Sequence, residues 1–250
     1  MKKILIAFLF TAISYGQSTI MLAMVLEEGK EDAYLKMEKN WKKLNEAAVS
    51  DGIITQWSVW KRTPREGDEG WAEYFVMIRR NAEQEKKQVN WKELSYKVFK
   101  GKSKKTIDKM LSNKGIVKEM RSRTYKIVTT TGWRGLEWEI GDKAYFHYMT
   151  EKNKDFINYE TAVWKPIAQQ NILDGYLKFW GISKLVDSNE ATKELKSSST
   201  HIAFNFPTKK QNQPEMNPSD DFLTTKAWEG LINSREMLPA EELTLVYSTF

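Results

Sequence analysis

Two histidines, His147 and His201, are the side chains of this sequence best suited to acid–base chemistry. Histidine titrates close to neutral pH, so it can accept or release a proton during a reaction. Two histidines cannot form a three-histidine metal site, and the absence of cysteine excludes thiol nucleophiles, iron–sulfur clusters and cysteine-ligated zinc. The sequence contains no G-x-S-x-G, G-x-G-x-x-G, P-loop, H-E-x-x-H or EF-hand motif. Any site must therefore be assembled from scattered side chains.

One phrase occurs twice and indicates which elements could position such side chains. "WKKLNEAAVSDGIITQWSVWK" begins at Trp41, and "WKPIAQQNILDGYLKFWGISK" begins at Trp164. In both, apolar residues at spacings of three and four predict a helix, Asp-Gly ends it, and a β-branched and aromatic run predicts a strand. We interpret the Asp-Gly as a helix-terminating turn and not as a catalytic pair, because glycine readily takes a positive φ just past a helix.

Each copy extends into the element order β-α-β-β-α-β. The first copy has predicted strands at 19–27, 53–61, 71–79 and 123–131, a helix ending at Asp51, and a helical region over 82–111 broken near Gly101. The second copy has predicted strands at 143–151, 176–184, 199–207 and 242–250, and helices over 155–171 and 221–233. Pro166 lies inside the first of these two helices and is expected to kink it.

Strand alternation sorts the second strand of each copy into two faces, because successive side chains point in opposite directions. One face is apolar in both copies and is assigned to the core under the helices: Trp57 and Val59, matched by Trp180 and Ile182. The other face is mixed in size and polarity, as a cavity lining would be: Gln56, Ser58 and Trp60, matched by Phe179, Gly181 and Ser183.

The first sixteen residues have the pattern of a secretory signal peptide. Lys2 and Lys3 precede the apolar run "ILIAFLFTAISY", and small residues at 14 and 16 favour cleavage before Gln17. A spanning helix needs about 20 apolar residues, so export with cleavage is favoured over a membrane anchor. We expect a periplasmic or secreted protein with no membrane span in the mature chain.

The net charge of +6 is mild, and much of the excess lies in "KVFKGKSKKTIDK", Lys97 to Lys109. Such a run either contacts phosphate or anionic lipid or is simply a solvated helix and loop. Aromatic residues do not interleave with these lysines as base stacking would require, so we do not expect nucleic acid as a partner.

A β-α-β-β-α-β unit with both helices on one face is ferredoxin-like, and two such units can cover each other's bare sheet faces. On this element order and duplication, the chain resembles the dimeric α+β barrel superfamily in a single-chain, tandem form. The expected fold class is α+β, with two ferredoxin-like repeats packed as a pseudo-dimeric barrel. The predicted divisions are a signal peptide at 1–16, a first repeat at 17–135 and a second repeat at 136–250.

The resemblance implies that the first and third strands of each repeat are neighbours. Ile202, Phe204 and Phe206 are interpreted as helix-facing core, which directs His201 and Asn205 into the barrel. His147 shares a face with Tyr145 and is expected to point into the same cavity, with Glu160 as a carboxyl partner or as the edge of a helix stripe. The predicted site therefore has His147 and His201 as catalytic candidates, and it has these candidate ligand-binding residues: Trp60, Tyr145, Glu160, Phe179 and Asn205.

Three hypotheses for the function remain open from the sequence. The first is an exported protein that binds a small, partly apolar molecule between the two sheets. The second, implied by the resemblance, is a cofactor-independent oxygenase or isomerase, or a haem-binding enzyme, with a histidine as general base or iron ligand. The third is a structural or interaction protein with a filled barrel. The cofactor is not identified by the sequence, and the chain is expected to be a monomer or a homodimer.

Overall fold

The computed structural model describes residues 17–67, 70–132, 138–193, 199–210 and 221–249. Nine strands are β1 (Ser18–Leu26), β2 (Gln56–Arg62), β3 (Tyr74–Arg80), β4 (Val117–Thr130), β5 (Lys143–Glu151), β6 (Leu177–Ser188), β7 (His201–Pro207), β8 (Arg235–Met237) and β9 (Glu241–Ser248). Eight α-helices are α1 (Glu31–Ser50), α2 (Ala82–Glu85), α3 (Trp91–Val98), α4 (Lys104–Leu111), α5 (Phe156–Tyr159), α6 (Lys165–Leu173), α7 (Glu190–Lys193) and α8 (Phe222–Asn233). The described residues thus contain nine strands and eight α-helices.

Eight of the strands form one closed antiparallel barrel. Within the first repeat the strand order is β4-β1-β3-β2, and within the second it is β9-β5-β7-β6. Two seams, β2 with β9 and β4 with β6, join the repeats and close the barrel. The short β8 pairs with the end of β5. The predicted fold class, two ferredoxin-like repeats in a single-chain α+β barrel, is confirmed.

The apolar side chains form three separate clusters. One fills the barrel interior and contains Trp60, Phe75, Phe146 and Phe204 among its members. The second lies between the first repeat's sheet and its helices, and the third occupies the equivalent layer of the second repeat. Strands in this fold therefore have two buried faces, one toward the interior and one toward the helices.

The first helical region of each repeat ends at its Asp-Gly pair, as predicted. Gly52 and Gly175 both have positive φ, 63° and 85°, directly after the first helical region of each repeat. The predicted kink near Pro166 is a change of helix type: residues 160–164 form a π-helical turn between α5 and α6. Pro166 has no backbone N–H and cannot donate a helical hydrogen bond. The change to π-helical geometry just before it therefore leaves no N–H of this residue without an acceptor. The sequence patterns did not predict α7 or β8.

The predicted boundary between residues 135 and 136 lies outside the described residues, between the end of β4 and the start of β5. The predicted signal peptide also lies outside them. Among the described helices, none combines the length and the apolar composition that crossing a bilayer requires.

Candidate functional site

A small cavity lies inside the barrel, between the sheets of the two repeats. It occupies the end at which β1 and β2 begin and β3 ends, and its free volume is about 40 Å³. Gln56, Ser58, Trp60, Phe179, Gly181 and Ser183 all line it, so the cavity-lining face predicted for the second strands is confirmed. The remaining lining residues are Thr19, Met77, Arg79, Ile127, Thr130, Trp138, Phe204 and Phe206.

The first repeat supplies a polar wall to this cavity. Thr19, Arg79 and Gln56 lie side by side on β1, β3 and β2, because Arg79 is the register partner of both other residues. The Arg79 guanidinium donates hydrogen bonds to the side-chain oxygens of Gln56 at 3.2 Å and Gln17 at 3.3 Å. Burial lowers the pKa of Arg79 from its ordinary value. Both acceptors are neutral amides, and no carboxylate in the described residues pairs with this cation.

The second repeat supplies an apolar wall at the same end of the barrel. The seam pairs β2–β9 and β4–β6 are antiparallel, so equivalent strands of the two repeats run in the same direction. Equivalent rows therefore face each other across the interior. Gln56 pairs with Arg79 in the first repeat, and Phe179 pairs with Phe206 at the equivalent place in the second. The duplicated frame thus has a cationic wall opposite an aromatic one.

Aromatic rings close the cavity. The Trp138 ring lies 4.4 Å from the Phe206 ring and 5.1 Å from the Trp60 ring, measured between centroids, both edge-on. The Phe179 ring lies 5.8 Å from the Phe206 ring. The Trp60 indole donates to the Ser58 hydroxyl at 2.9 Å, which fixes the orientation of its ring. Trp138 and Phe179 are only partly buried, whereas Trp60 is fully buried.

The prediction that both histidines point into the barrel is wrong. They do lie on adjacent paired strands, with the same orientation, since His147 opposes Ala203 and His201 opposes Met149. Met149 and Ala203 belong to the helix-side cluster of the second repeat, so this face packs against the helices.

The same correction applies to Tyr145 and Asn205, which oppose each other on that outer face. The interior positions of these two strands are taken by side chains of the barrel's apolar cluster: Ala144, Phe146, Tyr148, Ile202, Phe204 and Phe206. Both faces of β7 are buried. Apolar residues on one face of this strand therefore do not indicate whether that face contacts the barrel interior or the helices.

His147, Glu160 and Arg235 come together in the helix layer of the second repeat. Arg235 forms an ion pair with Glu160, whose carboxylate is fully buried and whose second oxygen, Oε2, has no hydrogen-bond partner in the described residues. The Arg235 guanidinium also lies 5.7 Å from the Trp164 ring centroid. Burial and the positive charge of Arg235 lower the pKa of His147 to about 4, so this imidazole is neutral at pH 7.

His201 has the environment of a structural histidine. It is 1% exposed, its Nδ1 lies 2.8 Å from the Thr200 hydroxyl, and its ring packs edge-on against Phe156 at 4.8 Å. Burial, with a smaller contribution from Lys184, lowers its pKa to about 4. A catalytic role for either histidine stays a prediction, and it would act outside the barrel cavity.

Haem does not fit the barrel cavity. The free volume of about 40 Å³ is far below the roughly 300 Å³ at which pockets for ordinary small-molecule ligands begin. No histidine lines the cavity to bind an iron ion. A haem-dependent reaction therefore has no place in the barrel interior as it is packed.

Arg79 is the one charged residue among the cavity residues that the sequence patterns did not identify; Thr19, Met77, Ile127 and Thr130 are the others. Alternation along "WAEYFVMIR" places Arg79 on the same face as Phe75 and Met77, and a charged residue continuing an apolar stripe was the available signal. Trp138 was harder to place, because it lies in the connection between the repeats, where no periodicity applies.

Comparisons with known proteins agree on the fold. No protein-family model matches the chain, and no curated protein matches it. A proposed monooxygenase from Lactobacillus acidophilus is similar over 93% of this chain and 95% of its own, with a TM-score of 0.54 and 9% identity.

Two further structures illustrate the same likeness. A proposed monooxygenase from Fusobacterium nucleatum has a TM-score of 0.53 at 9% identity, covering 94% and 95% of the two chains. A haem-binding protein from Thermus thermophilus has a TM-score of 0.43 at 8% identity, covering 93% and 92%. The chain has the fold of the dimeric α+β barrel proteins, with both ferredoxin-like repeats in one polypeptide.

Proposed function

We propose that this protein binds a small, flat, acidic molecule in the cavity between its two repeats. The uncompensated charge of Arg79 carries the proposal. Three other inward cations each face a carboxylate: Arg62 pairs with Glu241, Arg235 with Glu160, and Lys178 with Asp142. Arg123 also forms no ion pair within the described residues, but its guanidinium lies over the Tyr148 ring, 5.3 Å from the centroid, and it does not line the cavity. A buried cation without an anion is costly, and a ligand carboxylate would supply two charge-assisted hydrogen bonds to the guanidinium.

The opposite wall favours an aromatic body for this ligand. Phe179, Phe206, Trp60 and Trp138 present ring faces and edges, which pair favourably with another aromatic ring. A ligand that spans the cavity would thus have its acid on the first repeat and its ring on the second.

Binding must move a side chain. A cavity of about 150 Å³ holds benzene, so the present 40 Å³ admits water but not a ring. Displacement of Trp138 or Phe179, the two partly buried rings, would open the required space. A change in tryptophan fluorescence should therefore accompany binding.

The test is a titration of benzoate and 2-naphthoate against benzamide and 2-naphthamide, read by thermal stability and by tryptophan fluorescence. The acids should raise the melting temperature and the amides should not, since only the acids satisfy Arg79. Arg79→Gln should weaken acid binding by about 1.5 to 3 kcal/mol, the usual contribution of a charged hydrogen bond.

Arg80→Gln is the matched control, because Arg80 is the next residue on the same strand and points to the opposite face. It removes the same charge and should leave the titration unchanged. Equal binding of acids and amides, or equal losses in the two variants, would refute the assignment of Arg79.

A second candidate is oxidation of such a ligand by molecular oxygen in the same cavity. Two structures with this fold are described as proposed monooxygenases. A phenol such as 1-naphthol would give 1,4-naphthoquinone and water with O₂ as the sole oxidant, so no bound cofactor is required. Arg79 would stabilise the phenolate from which electrons leave.

An oxygen electrode tests this second candidate. Uptake of O₂ with 1-naphthol should fall about a hundredfold in Arg79→Gln, which removes the stabilising charge, and should persist in Arg80→Gln. His147→Ala should also retain activity, because this imidazole does not line the cavity. No uptake with the wild-type protein would remove oxidation and leave the binding proposal standing.

We also propose that the chain is exported with cleavage before Gln17. Lys2 and Lys3, the apolar run after them and the small residues at 14 and 16 support this proposal. Amino-terminal sequencing of protein recovered from the periplasm or the culture medium tests this. A retained Met1 in the recovered protein would contradict it.

A further inference from the structure

The outer helices of the first repeat carry a strongly basic surface. Between residues 86 and 109 the chain has two carboxylates, Glu93 and Asp108, and nine lysines. The net charge of the whole chain is +6, so all other residues together sum to −1. We call the following residues the lysine surface: Lys86, Lys87, Lys92, Lys97, Lys100, Lys102, Lys104, Lys105 and Lys109.

All nine side chains of the lysine surface are exposed. Within the described part of the chain, Lys97 alone among them forms an ion pair, with Asp51 at 3.3 Å. Lys87 donates to the Gly52 carbonyl, and Lys104 lies over the Tyr96 ring. The positive charge of this surface is therefore almost entirely uncompensated by the protein.

The helices that carry much of the lysine surface, α3 and α4, are packed against the apolar cluster of the first repeat. Leu94, Phe99 and Ile107 are buried against the cluster beneath, so α3 and α4 direct their apolar sides inward and their lysines outward. Asn90 and Ser103 cap these helices by accepting from the N–H groups of Glu93 and Thr106. Little backbone ordering is therefore left to occur when a partner binds.

We propose that the lysine surface docks this protein on a membrane of anionic phospholipids. Headgroup phosphates form an extended, mobile sheet of negative charge, which matches many separate lysines better than it matches one specific pocket. Each lysine that approaches such a surface strengthens binding about fivefold, so several acting together give stable attachment without insertion into the bilayer.

The aromatic residues of the same segment argue for lipid over single-stranded nucleic acid. Trp91 and Tyr96 are partly buried against the helix layer, and Phe99 is buried. Proteins that bind single-stranded nucleic acid stack its bases on exposed aromatic rings. The three aromatic rings of this segment pack against the protein's own core instead.

Vesicle co-sedimentation tests the proposal with the full chain. Vesicles of phosphatidylcholine alone are compared with vesicles that contain about 40 mol% phosphatidylglycerol, at low and at high salt. The anionic vesicles should bind the protein, the neutral ones should not, and binding should fall steeply with salt. The triple variant Lys100→Gln, Lys102→Gln, Lys105→Gln should bind about a hundredfold more weakly, from three fivefold losses.

A control triple variant carries the same net charge: Lys126→Gln, Lys152→Gln, Lys154→Gln, all at exposed positions outside the lysine surface. It should bind like the wild type, and circular dichroism checks that both variants are folded. Equal losses in the two variants, or equal binding to neutral vesicles, would overturn the proposal. Tighter binding to duplex DNA than to anionic vesicles at the same salt would overturn it in favour of nucleic acid.

Discussion

A single buried carboxyl distinguishes the helix layer of the first repeat. Glu38 of α1 is 2% exposed and forms no ion pair within the described residues. Burial raises its pKa to about 7, and the neighbouring Tyr34 hydroxyl lowers the pKa by less. At neutral pH this carboxyl is therefore half protonated, although an exposed glutamate would be ionised.

Glu38 should make the folded protein less stable as the pH rises. The folded state binds its proton more tightly than the unfolded state, so this stabilisation is complete below about pH 4.5 and is lost as the pH rises through 7. Glu38→Gln should raise the free energy of unfolding at pH 8 by on the order of 2 to 3 kcal/mol, and by little at pH 4.5. Urea denaturation at both values measures the difference.

The two histidines act in the opposite direction, which is why the variant must be compared with the wild type at each pH. Their pKa values are lowered to about 4, so the stability they permit is complete above about pH 6.5 and is lost as the pH falls through 4. This contribution is common to the wild type and Glu38→Gln and cancels in their difference. A difference that does not change with pH would contradict the assignment of Glu38.

At the scale of single elements, the end of α1 depends on Gly52. Its φ of 63° lies in the left-handed region, and a Cβ added there would meet nothing closer than the Lys87 ammonium at 3.9 Å. Space is therefore available, and the backbone conformation alone requires glycine. The first turn from helix to strand sets the start of β2, which carries Gln56, Ser58 and Trp60 of the cavity.

Gly52→Ala should lower the free energy of unfolding by about 1 to 2 kcal/mol, the cost of a left-handed conformation for an alanine. Gly52→Asn should cost less, because asparagine tolerates this region. Gly132→Ala is the control, since Gly132 also has open space but no positive φ. Thermal unfolding compares the three variants, and equal effects at positions 52 and 132 would contradict the backbone argument.

For the molecule as a whole, the two seams decide whether the repeats fold together. Arg62 of β2 and Glu241 of β9 form an ion pair across one seam, and each is only 4% exposed. Arg65 approaches the same carboxylate at 3.4 Å. Next to it, Glu242 pairs with Lys143 at 2.7 Å on the outer, partly solvated face. Neighbouring carboxylates on β9 thus form one buried and one exposed ion pair.

Glu241→Gln should lower the free energy of unfolding by about 3 to 5 kcal/mol, because it removes the buried carboxylate that compensates the Arg62 charge across the seam. Glu242→Gln should cost less than about 1 kcal/mol, as exposed pairs do. Urea unfolding followed by near- and far-ultraviolet circular dichroism should show one coincident transition in both variants, since neither repeat can lose its seam independently. Separate transitions for the two repeats would contradict this view.

The sequence by itself determined the order of the main elements, the duplication and the need of each sheet to be covered, and the closed α+β barrel was implied by the resemblance that these features carry. These features follow from local physics: Asp-Gly ends a helix, β-branched and aromatic runs form strands, and an open sheet face needs a cover. Alternation also assigned the faces of the second strands, because one face is apolar in both copies and the other, with Gln56 and Ser58, is not.

Only the tertiary structure decided what the cavity contains. Closure of the barrel buries both faces of β5 and β7, so apolar residues such as Phe204 mark an interior that sequence analysis read as the helix layer. For that reason His147 and His201 face the helices and not the cavity. Arg79 is the charged residue that lines the cavity wall. The free volume depends on how rings from four distant segments meet, and no local pattern in a sequence encodes that distance.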